Sequence, residues 1–216
     1  MKNRFDLLIF DWDGTLVDSI QWIVESLNFA ARDSGLPVPP DASARAVIGL
    51  SLDRAMATLF PGTEAPDIER LMAAYQHYYN SKPLGPEALF DGVPGLLDGL
   101  RGSGYKLAVA TGKTRLGLDH AMSSTGAADW FHATRAAGET ASKPDPLMLL
   151  QLMAELGAPP ERTLMVGDSV HDLQMAQNAG IAAVGVFCGA DGRDRLLAFE
   201  PLLGLEQTAE LAAFLL

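Results

Sequence analysis

At 216 residues, 48% of them hydrophobic, the chain can bury a full core without staples, as one compact domain or one domain with a modest insertion. A net charge of -11, from 27 acidic against 16 basic residues, argues against a general nucleic-acid or anionic-membrane binder, which needs a basic excess; a small phosphorylated ligand stays compatible, because a few local cations and a metal ion reverse the field inside one pocket. The lone Cys188 excludes an internal disulfide and fits a reducing compartment.

In chain order, Met1 to Phe10 holds a short apolar run that Asp11 and Asp13 cut off, too short for a signal peptide. No later segment is long and apolar enough to span a bilayer, so a cytoplasmic protein is expected. Residues 5–10 read as a buried strand ending at Asp11. From Asp18 to about Ser34, Ile20, Ile23, Val24, Leu27 and Ala31 recur at helical spacing. A proline-rich break at Pro37 to Pro40 follows, then helical stretches over roughly 41–59 and 65–80, and a second break at Lys82 to Pro86. Beyond it, helical segments alternate with short strand-like runs at 106–110, 163–166 and 181–186, the mark of a parallel sheet covered by helices. The fold class expected is α/β: a parallel Rossmann-like sheet core, residues 1–16 and 86–216, with a helical cap, residues 17–85, inserted after the first strand.

Four separated segments carry chemistry. Asp11 and Asp13 stand at a strand's carboxyl end, where open α/β sheets bind ligands, and residues i and i+2 of extended chain point the same way. One carboxylate can serve as nucleophile and the other as acid and base, with Gly14 allowing a sharp turn after them. A calcium loop is excluded: its glycine would fall at the sixth position, not the fourth, and its twelfth position is Trp22 instead of Glu. Thr111 and Gly112 follow the strand at 106–110 and precede a helix, a setting that suits phosphate but is also an ordinary cap and turn. Lys143 precedes Pro144, which restricts its backbone; alone, an exposed lysine in a proline loop is the better reading. Asp168 again ends a strand, while Ser169 caps the next helix and Asp172 reaches back toward its start. Clustered acids without a counter-charge repel, so the conjunction implies a cation, with magnesium suited to carboxylate, phosphate and water ligands.

These residues resemble those of the haloacid dehalogenase superfamily, on its phosphatase side, and are most similar to phosphoglycolate phosphatase-like proteins with a helical cap. The resemblance runs from Asp11 to about Gly189. It rests on Asp-x-Asp-Gly-Thr-Leu-x-Asp-Ser at 11–19, Ala-Thr-Gly at 110–112, Lys-Pro-x-Pro at 143–146 and Gly-Asp-Ser-x-x-Asp at 167–172. It implies Asp11 as nucleophile and magnesium ligand, and Asp13 as acid and base that lends its backbone carbonyl to the metal. It implies Thr111 and Lys143 as holders of the phosphoryl group, Asp168 as a further ligand and Asp172 as its support. Gly112 departs from the Asn frequent at that position in relatives. Asp13 separates the chain from true dehalogenases, which lack that acid.

Substrate choice is expected in the insertion, with Arg54 the foremost candidate to meet a distal anion, ahead of Arg45 and Lys82; Lys113 and Arg115 could border the pocket. Gly112 is expected at the substrate. The histidines show no metal spacing and read as structural, and Trp12, Trp22 and Trp130 as packing. The expected function is magnesium-dependent hydrolysis of a small, phosphoglycolate-like phosphomonoester. The alternatives are a sugar phosphomutase, a pyrophosphatase or a non-catalytic binding protein. Residues 17–76 contain no histidine, which tilts the choice from mutase toward hydrolysis. Monomer and homodimer both stay open.

Overall fold

The computed structural model describes residues 4–216; the first three residues of the leading run and of the expected 1–16 core segment lie outside them. From the amino end, strand β1 (Leu7–Phe10) leads into four helices, α1 (Ile20–Asp33), α2 (Asp41–Ala46), α3 (Leu52–Leu59) and α4 (Ala65–Tyr79). The chain continues through α5 (Val93–Gly102), β2 (Lys106–Thr114), α6 (Arg115–Thr125), β3 (Ala133–Ala137), α7 (Leu147–Leu156) and β4 (Thr163–Gly167). It closes with α8 (Val170–Asn178), β5 (Ala182–Val186), α9 (Arg193–Leu197), β6 (Leu203–Leu205) and α10 (Ala212–Leu215).

Among the described residues the six strands form one parallel sheet in the order β3-β2-β1-β4-β5-β6. β1 is central and wholly buried, as its unbroken apolar run requires. Its side chains alternate between two cores. Leu8 and Phe10 join Leu107, Val109, Leu164 and Val166 against α5 and α6. Leu7 and Ile9 join Ala108, Ala110 and Met165 against α7 and α8. Each fully buried Leu or Phe there contributes about 1.5–3 kcal/mol. α1 to α4 gather around a third cluster of their own, with Leu27, Met56 and Leu71 at its centre.

Three details differ from the sequence expectation. The single helical stretch over 41–59 is two helices, because Gly49 takes a left-handed φ of 98° in the turn between them. β3 and β6 were not expected: Ala-Thr-Arg-Ala-Ala is poor in β-branched residues, and β6 has three residues. β2 runs past Ala110 to Thr114, with a register break against β3 between those residues, so Thr111 and Gly112 sit in a distorted strand end. α6 begins only at Arg115, where the Thr114 hydroxyl accepts from the Gly117 N–H at 3.2 Å.

Candidate active site

The sheet order reverses between β1 and β4, and their carboxyl ends deliver Asp11 and Asp168 side by side. The Asp11 N–H donates to the Val166 carbonyl at 3.0 Å, continuing the β1–β4 pairing into the site. Asp11, Asp168 and Asp172 are all buried, and each offers a carboxylate oxygen within 4.8 Å of the others. Lys143, with no exposed surface, places Nζ 2.7 Å from Asp11 Oδ1 and 2.7 Å from Asp172 Oδ1. The exposed proline-loop reading of this lysine is therefore excluded.

Every other contact orients these carboxylates. Asp11 Oδ1 also accepts from the Trp12 N–H at 2.7 Å, while Oδ2 has no hydrogen-bond partner among the described residues. Thr15 Oγ1 donates to Asp168 Oδ1 and the Ala190 N–H to Oδ2, both at 2.7 Å. Asp172 Oδ2 accepts from the N–H and hydroxyl of Ser169, whose own oxygen caps α8; this is the reach-back expected of Asp172. Gly14, with φ of 75°, and Gly189 flank Asp168 so tightly that a Cβ on either would overlap its carboxylate.

One ammonium against three buried carboxylates leaves negative charge in excess. Burial, with repulsion from Asp172 and Asp168, pushes the Asp11 carboxyl well above the usual range despite Lys143. Burial and Asp172 likewise push Asp168 up to about 7. A cation would reverse both shifts, and a set of oxygen donors only, carboxylates among them, suits a hard ion such as magnesium.

Asp13 differs from expectation in one respect. Its carboxylate does not join the three-acid group; it accepts from Ser19 Oγ at 2.6 Å and lies 3.1 Å from Lys113 Nζ. The i, i+2 alternation put its side chain on the side of Asp11, but Ser19 and Lys113 hold its carboxylate outside the group formed with Asp168 and Asp172. The Asp13 carboxylate is thus absent from the group of acids that could hold a metal ion. Lys113 also donates to Tyr79 Oη at 2.9 Å, tying β2 to α4. Burial works against its charge, yet the Asp13 carboxylate, helped by the hydrogen bond to Tyr79, outweighs burial and holds its pKa above the ordinary lysine value. The sequence reading gave Lys113 no catalytic contact; its place two residues after Thr111 was the available signal.

A cavity of about 520 Å³ opens between the sheet and the helical insertion, with Asp11, Asp13, Thr111, Gly112 and Lys113 on its floor. Gly112 carries no side chain for a physical reason: a Cβ there would overlap the carbonyl oxygens of Leu50 and Gly49 in the α2–α3 turn. Arg54 is not among the lining residues; its Nη1 donates to the Lys143 carbonyl at 3.3 Å, beside a Ser51 N–H bond to Ser142 Oγ at 3.0 Å. It therefore steadies the loop that carries Lys143. Arg45 pairs with Asp41, Lys82 lies over the Trp22 ring, and Arg115 pairs with Glu139 and Asp119.

Comparison with known proteins adds to this geometry. A model of the haloacid dehalogenase-like hydrolase family matches residues 8–186. The chain is 39% identical over 210 residues to the probable phosphatase IndB of Dickeya dadantii, covering 94% of this chain and 90% of the relative. It is 33% identical over 189 residues to a phosphoglycolate phosphatase of Agrobacterium fabrum, covering 85% and 81%. A hydrolase structure from Pseudomonas syringae superposes with a TM-score of 0.87 over 97% of both chains at 22% identity, a likeness of fold.

Proposed function

The chain belongs to the haloacid dehalogenase-like hydrolase family, and from that premise we propose that it is a magnesium-dependent phosphatase acting on a small phosphomonoester through an aspartyl-phosphate intermediate. The observation that carries this reading is the buried group of Asp11, Asp168 and Asp172 with Lys143 bridging two of them, its Asp11 on the floor of a cavity. In this reading residues 17–85 are a cap over a catalytic core of residues 1–16 and 86–216, and the protein works in the cytoplasm.

The Asp11 and Asp168 carboxylates and the Asp13 backbone carbonyl would hold magnesium, with the Asp172 carboxylate alongside. Bound there, the ion would supply positive charge against the carboxylates and the phosphoryl oxygens. Asp11 attacks phosphorus, and the bond from phosphorus to the ester oxygen breaks as Asp13 gives that oxygen a proton. Asp13, now a carboxylate, takes a proton from water; the hydroxide attacks phosphorus, releasing phosphate and restoring Asp11. Lys143 neutralises charge near Asp11, and Thr111 binds a phosphoryl oxygen. In the structure Asp13 sits beside Lys113 and Ser19, so in this reading its carboxyl turns toward the ester oxygen in the protonated form before giving up its proton.

A mutase must hand the phosphoryl group to a second hydroxyl, usually through a base on the cap. His120 is the histidine among the described lining residues, and it comes from α6 of the core, which favours water as acceptor. The test is release of phosphate from 4-nitrophenyl phosphate, with and without magnesium. Turnover that is restored by magnesium after chelation is expected; no release under either condition would remove the reading.

A further inference from the structure

The cavity's polar floor accounts for a phosphoryl group, but its walls say more about what leaves. Ile23, Leu27, Ile48, Leu52, Leu84 and Leu116 line it, together with Tyr75 and Tyr79, whose rings stack at 5.6 Å. Leu116 is 83% exposed at the first turn of α6, the most exposed large apolar side chain among the described residues, and it borders this cavity. Burial pushes both tyrosine hydroxyls upward, so they stay neutral. Gln76 and Asn80 add uncharged hydrogen-bonding groups.

Positive charge in the walls is accounted for. Among the described lining residues Lys113 carries the permanent positive charge, and Asp13 already faces it at 3.1 Å. Lys143 is enclosed between Asp11 and Asp172, and Arg45, Arg54, Lys82 and Arg115 are held elsewhere. A second anion on the substrate would lose its water and meet apolar walls, and the charged groups lining the cavity are Asp11, Asp13 and a Lys113 already paired with Asp13.

We infer that the released alcohol is uncharged and largely apolar, an aryl or alkyl group without a carboxylate, and that the walls built by α1, α3 and α4 with Leu116 select it. The inference rests on the phosphatase reading, which fixes the phosphoryl end at Asp11. It departs from the phosphoglycolate-like substrate that the sequence resemblance implies, since that ester carries its carboxylate one carbon from the scissile oxygen.

Two matched pairs of esters test it: butyl against 3-carboxypropyl phosphate, and phenyl against 4-carboxyphenyl phosphate. Turnover is measured with the wild-type chain, and binding by calorimetry with Asp11→Asn, so that affinity is read where no hydrolysis occurs. The neutral member of each pair is expected to lead by about 10- to 100-fold in kcat/KM and in affinity. Leu116→Arg, which sets a cation at the cavity's mouth, should narrow that gap several-fold. Equal or better binding of the carboxylated members, or no binding of the neutral ones, overturns the inference. If the carboxylated esters are the better substrates, the phosphatase reading survives. If no ester is hydrolysed by the wild-type chain, that reading fails, while the binding comparison still decides what the walls accept.

Discussion

Asp11→Asn is expected to lower kcat for phosphate release by about four orders of magnitude or more, because an amide cannot form the acyl phosphate and no other carboxylate is aimed to replace it. Asp168 is held at both oxygens by Thr15 and the Ala190 N–H, Asp172 at both by Lys143 and Ser169, and Asp13 at Oδ1 by Ser19 and Lys113. Asp11 Oδ2 has no hydrogen-bond partner among the described residues, and of the three clustered acids Asp11 is the one that lines the cavity. The substitution changes little in size and removes one of three mutually repelling charges, so the fold should persist. Steady-state kinetics with a circular-dichroism control checks both parts. A folded variant that keeps wild-type turnover would exclude Asp11 as the nucleophile.

Lys143→Met is expected to act on stability as well as on chemistry. The ammonium is fully enclosed and lies 2.7 Å from each of two buried carboxylates. Burial disfavours its charge, but Asp11 and Asp172 more than compensate and hold its pKa above the ordinary lysine value. Removing it leaves Asp11 and Asp172 without their counter-charge, at a cost of about 3–5 kcal/mol. Denaturant midpoints of the two proteins, measured at neutral pH without divalent ions, give that difference directly. Phosphate release should be lost as well. A midpoint within experimental error of the wild type would mean that the carboxylates find another partner.

How far the sequence could be read follows from what kind of fact each residue is. Asp11, Asp168, Ser169 and Asp172 were legible because strand ends, caps and i, i+2 or i, i+3 spacing are local. The alternation of strand-like and helical runs likewise announced a parallel sheet, since βα order is written along the chain. β3 was hidden because alanines carry no strand signal; pairing with β2 makes it a strand. Facts that depend on the insertion folding back over the sheet were not legible. No local pattern reports that Leu50 and Gly49 fill the space beside Gly112, that Tyr79 takes a bond from Lys113, or that Arg54 is spent on the Lys143 carbonyl. The same limit explains Asp13: backbone alternation gave its side but not the two donors that turn it.

Catalysis of the proposed kind depends on the buried carboxylates of Asp11, Asp168 and Asp172 taking up a divalent cation. Titrating magnesium into the chain by calorimetry, beside Asp168→Asn under the same conditions, reads this without any substrate. The wild-type chain should bind the ion saturably, and the variant should bind it at least about tenfold more weakly, since it loses one of the charged donors. Equal affinity in the two proteins, or no saturable binding in the wild type, would contradict the account at its base.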